Sequence, residues 1–280
     1  MLMFVSGALS RLDRRDVLKF GLGSLMAGAF GGAALATGPA DPVDLTTLPG
    51  LPSGVSGKGA DRNNYATIRG ADEPTAEQKK MANAIAGSAP RSKNGSIVHP
   101  YEVALYFLSI VNDTSGNYDP NWPGYMRAWP RDAAANPLIR DVFFSATNLA
   151  SNGDLTAWCS AFVNWCFKCA ATPSLKPART ARANSSSWRD WGDGITFKRG
   201  DAVPIGGTPK VGDIVVFKDV KDPNYGHVAF FRALKGDRIQ FFGGNHLEGR
   251  PVRHVISEKS LPLWGNVLEI HSIRKTFGPN

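Results

Sequence analysis

Apolar residues recur every three or four positions in four stretches of the chain, and this spacing predicts helices. The stretches are residues 77–86, 101–111, 137–150 and 157–170. The last of them is apolar on two neighbouring stripes, with Phe162 and Trp165 on one and Val163 on the next. A helix with two apolar stripes is expected at the centre of a domain.

After a polar loop at residues 173–210 the pattern changes to short segments rich in Val, Ile and Phe, which predict strands. The segments are residues 213–218, 227–234, 238–242 and 267–273. Lys235, Gly236 and Asp237 form a turn signal that predicts a hairpin between the second and third segments. A helix followed by such strands predicts an α+β fold, with a central helix packed on an antiparallel sheet, over residues 137–276.

Residues 1–36 have the pattern of an export signal. Basic residues precede a run rich in Gly and Ala that ends at Ala36. Arg14 and Arg15 are followed by Val17, Leu18 and Lys19, which resembles the twin-arginine export motif. An amphipathic helix is the alternative, and the glycines of residues 21–32 disfavour it. We therefore expect a periplasmic or secreted protein.

Two further regions precede the predicted α+β domain. Residues 37–70 are rich in Pro, Gly and Ser, lack an apolar period and predict a linker. Residues 71–136 predict a helical accessory region with aromatic residues at positions 118–129. Those rings either stack on sugar rings of a ligand or pack into a small irregular layer, and we favour packing. We expect this region to lie beside the α+β domain and to shape its cleft.

Composition and charge narrow the class of protein. The 280 residues are 42% hydrophobic and 20% charged, which excludes a disordered chain, and no apolar run predicts a permanent membrane span. Three cysteines exclude a disulfide-stapled scaffold. The formal net charge of +8 suits an anionic cell envelope. Basic residues are scattered and no groove-reading motif is present, so no nucleic-acid partner is expected.

Cys159 is the candidate nucleophile. It falls in the first turn of the predicted helix 157–170, where free N–H groups and the helix dipole favour a thiolate and lower the thiol pKa. A small buried core cysteine is the alternative interpretation of this position.

His227 and Asn245 are the candidate base and orienting residue. With the hairpin centred on Gly236, the antiparallel register places His227 opposite Asn245. An amide oxygen there would accept the imidazole N–H and turn the other ring nitrogen toward the thiol. His246 would point to the opposite face unless a bulge shifts the register. Cys159, His227 and Asn245 together would form a Cys-His-Asn hydrolase site.

Five sequence blocks, in order, resemble CHAP-type and NlpC-like cysteine peptidases and amidases. They are residues 156–165 around Cys159, 187–192 with Ser187-Trp188 and Trp191-Gly192, 209–217 with Gly212-Asp213, 226–230 around His227, and 242–246 with Gly243-Gly244-Asn245. His246 stands where one bacterial subfamily has Gln, which keeps His246 as an alternative orienting residue. The resemblance implies a papain-like fold, catalysis by Cys159, His227 and Asn245, and a peptidoglycan or other amide substrate.

Two other cysteines raise alternative chemistries. Cys166 and Cys169 would suit zinc or a redox dithiol, but both lie inside a predicted helix, so no metal and no cofactor is expected. The predicted function is an exported cysteine hydrolase that cleaves stem peptides or the N-acetylmuramoyl-L-alanine amide of peptidoglycan. The alternatives are a non-catalytic envelope-binding module on the same fold and a secreted antibacterial effector hydrolase.

Overall fold

The computed structural model describes residues 73–93, 97–129, 134–151, 153–154, 156–170, 178–200, 204–249 and 253–276. The predicted export signal at residues 1–36 and the predicted linker at residues 37–70 lie outside these ranges. The described residues have α+β content, in which helices and helical turns precede most of an antiparallel sheet. No helix among them is both long enough and apolar enough to cross a membrane.

The first two helices begin at side-chain caps. Helix α1, Ala76–Ser88, begins at Thr75, which forms a capping box with Gln78. Helix α2, Pro100–Val111, begins at His99, whose Nδ1 accepts the N–H of Tyr101 at 3.2 Å. Both helices were predicted from the apolar spacing, and both are confirmed to within two residues at each end.

The predicted helix at residues 137–150 is wrong in length and type. A π-helical turn, Leu138–Phe143, is followed by a 3-10 turn, Phe144–Ala146. The buried Asn136 side chain anchors the start by accepting the N–H of Leu138 at 2.9 Å. The backbone becomes extended at Thr147, with φ −119° and ψ 171°, and this ends the helical segment.

Helix α3, Cys159–Ala170, is the central helix predicted from its two apolar stripes. It begins two residues later than predicted, so Cys159 is its first residue. Every residue of the helix except Lys168 is buried. A helix with one exposed side chain in twelve residues has packing partners all round.

Six strands form one antiparallel sheet in the order β1-β6-β2-β3-β4-β5. Their bounds are β1 Gly194–Ile195, β2 Ile214–Asp219, β3 Gly226–Lys235, β4 Arg238–Glu248, β5 Arg253–Pro262 and β6 Leu268–Arg274. The β3–β4 hairpin turns at Gly236, whose φ of +59° suits glycine. Strands β1 and β5 were not predicted.

Side chains on the two faces of the sheet belong to two different hydrophobic clusters. Val216, Val228 and Phe242 face the helices and belong to the larger cluster, which includes α3. Phe217 and Phe241 belong to a smaller cluster on the opposite face. Side chains of a strand alternate between faces, so consecutive residues of β3 and β4 serve different clusters.

The predicted accessory region shares the larger cluster with α3. Phe107 of α2 lies 5.3–5.7 Å, between ring centroids, from Phe143, Phe162 and Trp165. The Trp122 indole donates to the Met81 sulfur at 3.1 Å, so this ring packs on α1. These contacts support the packing alternative for the aromatic residues. The boundary at residue 136 stays a prediction.

The accessory region also covers the outer edge of the sheet. The Ala128 N–H donates to the His254 carbonyl at 2.8 Å, and the Ile256 N–H donates to the Met126 carbonyl at 2.9 Å. Arg127 thereby pairs with Val255 of the edge strand β5. An edge strand covered in this way presents fewer unpaired backbone groups to other chains.

Candidate active site

Cys159 lies at the start of α3, next to the backbone of β3. Its side chain is buried, with 3% of the residue exposed. The sulfur accepts hydrogen bonds from backbone N–H groups, including that of Val228, the residue after His227. This contact places the thiol beside the strand that carries the candidate base.

The thiol of Cys159 is protonated in the folded chain. Burial raises its pKa to about 11, although the N–H groups of Val228 and Ser160 act in the opposite direction. The prediction that the helix start lowers the pKa of Cys159 is therefore wrong in this structure. The buried surroundings penalise the thiolate more than the nearby N–H groups stabilise it.

His227 contacts His246, which is a second buried imidazole. The two Nε2 atoms are 2.9 Å apart, and the residues are 8% and 5% exposed. Nδ1 of His246 lies 3.1 Å from the Ser257 hydroxyl on β5. Three polar side chains from three neighbouring strands thus form a continuous chain.

Both imidazoles are neutral at neutral pH. Burial lowers the pKa of His227 to about 4. Burial lowers the pKa of His246 well below its usual value, and the neighbouring His227 and Lys259 side chains add to this effect. A neutral imidazole has one N–H donor and one acceptor nitrogen, so each ring has a defined tautomer.

The structure does not place Asn245 against His227. The pairing of β4 with β5 shifts register between Gly243 and His246, and Asn245 adopts a left-handed conformation with φ +67°. Its side-chain oxygen accepts a hydrogen bond from Nδ1 of His254 at 2.6 Å. The predicted cross-strand contact is wrong because this bulge turns Asn245 away and brings His246 to His227.

Two glycines allow β4 to lie close to β3 and to Trp158 at this bulge. A Cβ at Gly243 would lie 3.0 Å from the Ala229 Cβ and 3.6 Å from Nε2 of His246. A Cβ at Gly244 would collide with the indole ring of Trp158, the residue before Cys159. Both positions therefore require glycine for close approach.

Strands β3 and β4 separate beside the candidate site. Their backbone pairing extends from Lys235↔Arg238 to Phe230↔Phe242 and ends there. His227 therefore lies on a part of β3 that pairs with β2 alone. Within the described ranges, no hydrogen bond joins the Cys159 sulfur to His227 or His246. The Cys159 thiol thus lies against the β3 backbone at the residue after His227, while the His227 ring contacts His246 and Phe241.

Sequence reasoning missed Ser257 and His254, which hold His246 and Asn245. Both lie on β5, the strand that the apolar pattern did not predict. The aromatic rings of Trp158 and Trp188 are fully buried, so they belong to the core.

The other two cysteines lie in the packed helix. Cys166 and Cys169 are 0% and 4% exposed, and all three cysteines have free thiols. Burial raises the pKa of Cys169 to about 11 and that of Cys166 well above its usual value. Among the residues that the structure describes, no three His, Cys, Asp or Glu side chains converge on a possible metal position.

Comparison with known proteins supports the resemblance seen in the sequence blocks. The family model described as CHAP domain matches residues 151–245, a range that includes Cys159, His227 and Asn245. CHAP domains are generally hydrolases that act on peptidoglycan. No curated protein and no solved structure matches the chain. The match over residues 151–245 is consistent with a CHAP-type peptidase or amidase family.

Proposed function

We propose that this protein is a cysteine hydrolase that cleaves an amide bond in peptidoglycan. The bond is either within a stem peptide or the N-acetylmuramoyl-L-alanine amide. The observation that carries the proposal is the placement of Cys159 at the first residue of α3, against the β3 backbone beside His227. A nucleophile and a base on adjoining elements, inside a CHAP match, are the parts that such a hydrolase requires.

The proposed arrangement is papain-like. In this proposal α3 is the nucleophile helix, and the face of the sheet that carries Val228 is its platform. The larger hydrophobic cluster, which joins α3 to that face, supports this assignment.

We assign the orienting role to His246 rather than to Asn245. Nε2 of His246 is 2.9 Å from Nε2 of His227, whereas the side chain of Asn245 accepts a hydrogen bond from His254. With Nε2 engaged, Nδ1 of His227 is the nitrogen left to act on the thiol. In this assignment Asn245 shapes the bulge that presents His246.

The reaction would begin with a neutral pair. Substrate binding exposes Cys159, the thiol proton passes to Nδ1 of His227, and the sulfur attacks the amide carbonyl. The backbone N–H of Cys159, at the helix start, would stabilise the oxyanion. The C–N bond then breaks and His227 protonates the leaving amine. A water molecule deprotonated by His227 hydrolyses the thioester, releases the carboxylic acid and returns the proton to the thiol.

The proposed location is the periplasm or the cell exterior, by twin-arginine export. The residues that carry the signal pattern, Arg14 and Arg15, support it. So does the net charge of +8, because peptidoglycan lies outside the cytoplasmic membrane within an anionic envelope.

One observation favours a second candidate function, a non-catalytic module that binds the envelope. Cys159 is buried and its pKa is about 11, which describes an unreactive thiol until the site opens. An antibacterial effector would use the same chemistry as the proposed enzyme.

Digestion of purified peptidoglycan separates these functions. We expect the wild-type chain to release fragments with new amine termini and Cys159→Ala to release none. Cys166→Ala, which changes a thiol of the same helix, is the matched control and should retain release. Fragment masses identify the bond. Equal release by wild type and Cys159→Ala would overturn the cysteine mechanism, and wall binding by both without release would favour the binding module.

A further inference from the structure

A short segment joins the start of α3 to the start of β3. Its Trp188 donates the indole N–H to the hydroxyl of Ser160, the second residue of α3, at 2.9 Å. The next residue, Arg189, donates from Nη2 to the Tyr225 carbonyl at 2.9 Å, two residues before the candidate base. Trp188 and Arg189 therefore lie between the helix that begins with the candidate nucleophile and the strand that carries the base.

The protein satisfies only part of the Arg189 guanidinium. Its bond to the Tyr225 carbonyl is the one that it forms within the described ranges, although a guanidinium has five N–H donors. Nε is buried and has no hydrogen-bond acceptor in the part of the chain that the structure describes. Among these residues Arg189 forms no ion pair, and the exposed carboxylate of Asp190 lies instead 3.9 Å from Nη2 of Arg274. Buried donors and buried cations without partners cost free energy, so an acceptor that carries negative charge would stabilise this group.

The electrostatic surroundings of Arg189 also favour an anion. Burial lowers the pKa of Arg189, and the charge of Asp190 acts in the opposite direction. Burial also lowers the pKa of His271 on β6, and the charges of Arg189 and Arg274 each add to this effect more than Asp190 opposes it. Positive charge therefore outweighs negative charge in this region, which favours a negatively charged ligand over a neutral one.

We infer that Arg189 is a specificity-determining residue, whose guanidinium binds a carboxylate group of the substrate. The inference deepens the proposed function and rests on it for the substrate, because the stem peptides of peptidoglycan carry free carboxylates. A guanidinium binds a carboxylate through two parallel N–H···O hydrogen bonds, which supply geometry as well as charge.

The position of Arg189 suits a peptide that extends away from the candidate site. Two strand residues span about 7 Å, so the guanidinium on the Tyr225 carbonyl lies on the order of 10 Å from the His227 backbone. An extended peptide spans about 3.5 Å per residue, so a carboxylate two or three residues from the scissile amide can reach Arg189. The bond to Tyr225 already fixes the guanidinium, so less side-chain entropy is lost when the ligand binds.

The first test measures binding without turnover and without any change at Arg189. The full chain with Cys159→Ala is titrated calorimetrically with a stem-peptide fragment that has a free carboxylate, and with the same fragment in which that carboxylate is an amide. We expect the acid to bind about tenfold to a hundredfold more tightly than the amide, the effect of a hydrogen bond between charged groups. Equal affinity for the two fragments, or binding of neither, would overturn the inference.

The second test adds substitutions of Arg189 in the same background. Arg189→Gln should bind the acid and the amide equally, and Arg189→Lys should keep part of the preference, because an ammonium carries the charge without the planar fork. Arg182→Gln is the matched control, since Arg182 is an exposed arginine seven residues earlier, and it should leave the preference unchanged. A purely structural role for Arg189 would lower both affinities alike, so a preference for the acid that survives in Arg189→Gln would contradict the inference.

These measurements separate the inference from the proposed function. If the wild-type chain releases nothing from peptidoglycan, the proposed hydrolase is wrong, whereas the preference for the acid is measured on an inactive variant and is judged by itself. If the wild-type chain releases fragments but the acid and the amide bind equally, the role of Arg189 alone is wrong.

Discussion

At the scale of single residues, the candidate site depends on which residue after the Gly243-Gly244 pair reaches His227. The hairpin register alone predicts that Asn245 contacts His227. In the structure His246 makes this contact instead, because a β-bulge adds one residue to β4. A left-handed Asn at +67° is the mark of that bulge. The two residues therefore have different proposed roles, backbone shape for Asn245 and side-chain contact for His246.

Substitutions at these two positions should have opposite outcomes. Asn245→Gly keeps the left-handed backbone at no steric cost, so peptidoglycan release should stay within about threefold of wild type. His246→Ala removes the partner of His227 and should lower kcat by about 100-fold or more, as expected when a base loses its orientation. Initial rates of fragment release measure both. A large loss in Asn245→Gly with little loss in His246→Ala would restore the Cys-His-Asn assignment.

The reactivity of Cys159 should depend steeply on pH. Because burial raises its pKa to about 11, the thiolate is rare at neutral pH and grows about tenfold per pH unit. The rate of alkylation by iodoacetamide should therefore rise continuously between pH 6 and pH 9, with the labelled site identified by mass spectrometry. A rate that is constant from pH 6 to pH 8 would show a preformed thiolate–imidazolium pair instead.

At the scale of elements, the apolar pattern was sufficient where a segment is buried on a regular period. It predicted α2, α3 and the strands that form the centre of the sheet. It failed at β5, where six of the ten residues are charged or polar and Ile256 is the one fully buried side chain. Edge strands carry little apolar signal because much of their surface faces solvent or loops. Ser257 and His254, the partners of His246 and Asn245, lie on β5 and were therefore not predicted.

The close packing of the bulge gives a prediction for Gly244. Gly244→Ala places a methyl group against the Trp158 ring at the start of α3, and should lower the free energy of unfolding by about 1–3 kcal/mol, as overpacking does. Gly87→Ala is the matched control. That glycine lies in α1 with nothing within 4 Å of the added Cβ, so the substitution should be neutral or stabilising. Urea unfolding followed by tryptophan fluorescence compares them, and equal effects would contradict the close approach.

At the scale of the whole molecule, the helices before residue 136 and the CHAP match contribute to one core. Phe107 of α2 contacts rings on both the π-helical turn and α3. Sequence predicted that the accessory region lies beside the α+β domain. It could not predict this shared core, because periodicity shows which face of a helix is apolar and not what covers it.

A shared core makes α2 necessary for stability. Phe107→Ala should cost about 3–5 kcal/mol of unfolding free energy, the range for a buried aromatic ring replaced by Ala. Val111→Ala, on the same helix but 37% exposed, should cost much less. Thermal and urea unfolding provide the comparison. If Phe107→Ala were as stable as wild type, α2 would be an appendage rather than part of the core.

The most direct test of covalent catalysis by Cys159 is detection of the acyl-enzyme. Peptidoglycan fragments are mixed with the protein, the reaction is stopped with acid, and the masses of the intact protein and of its proteolytic peptides are measured by mass spectrometry. We expect an added mass on the peptide that contains Cys159, carried as a thioester and absent from Cys159→Ala. Fragment release with no adduct in the wild type, and undiminished release by Cys159→Ala, would contradict covalent catalysis by this cysteine.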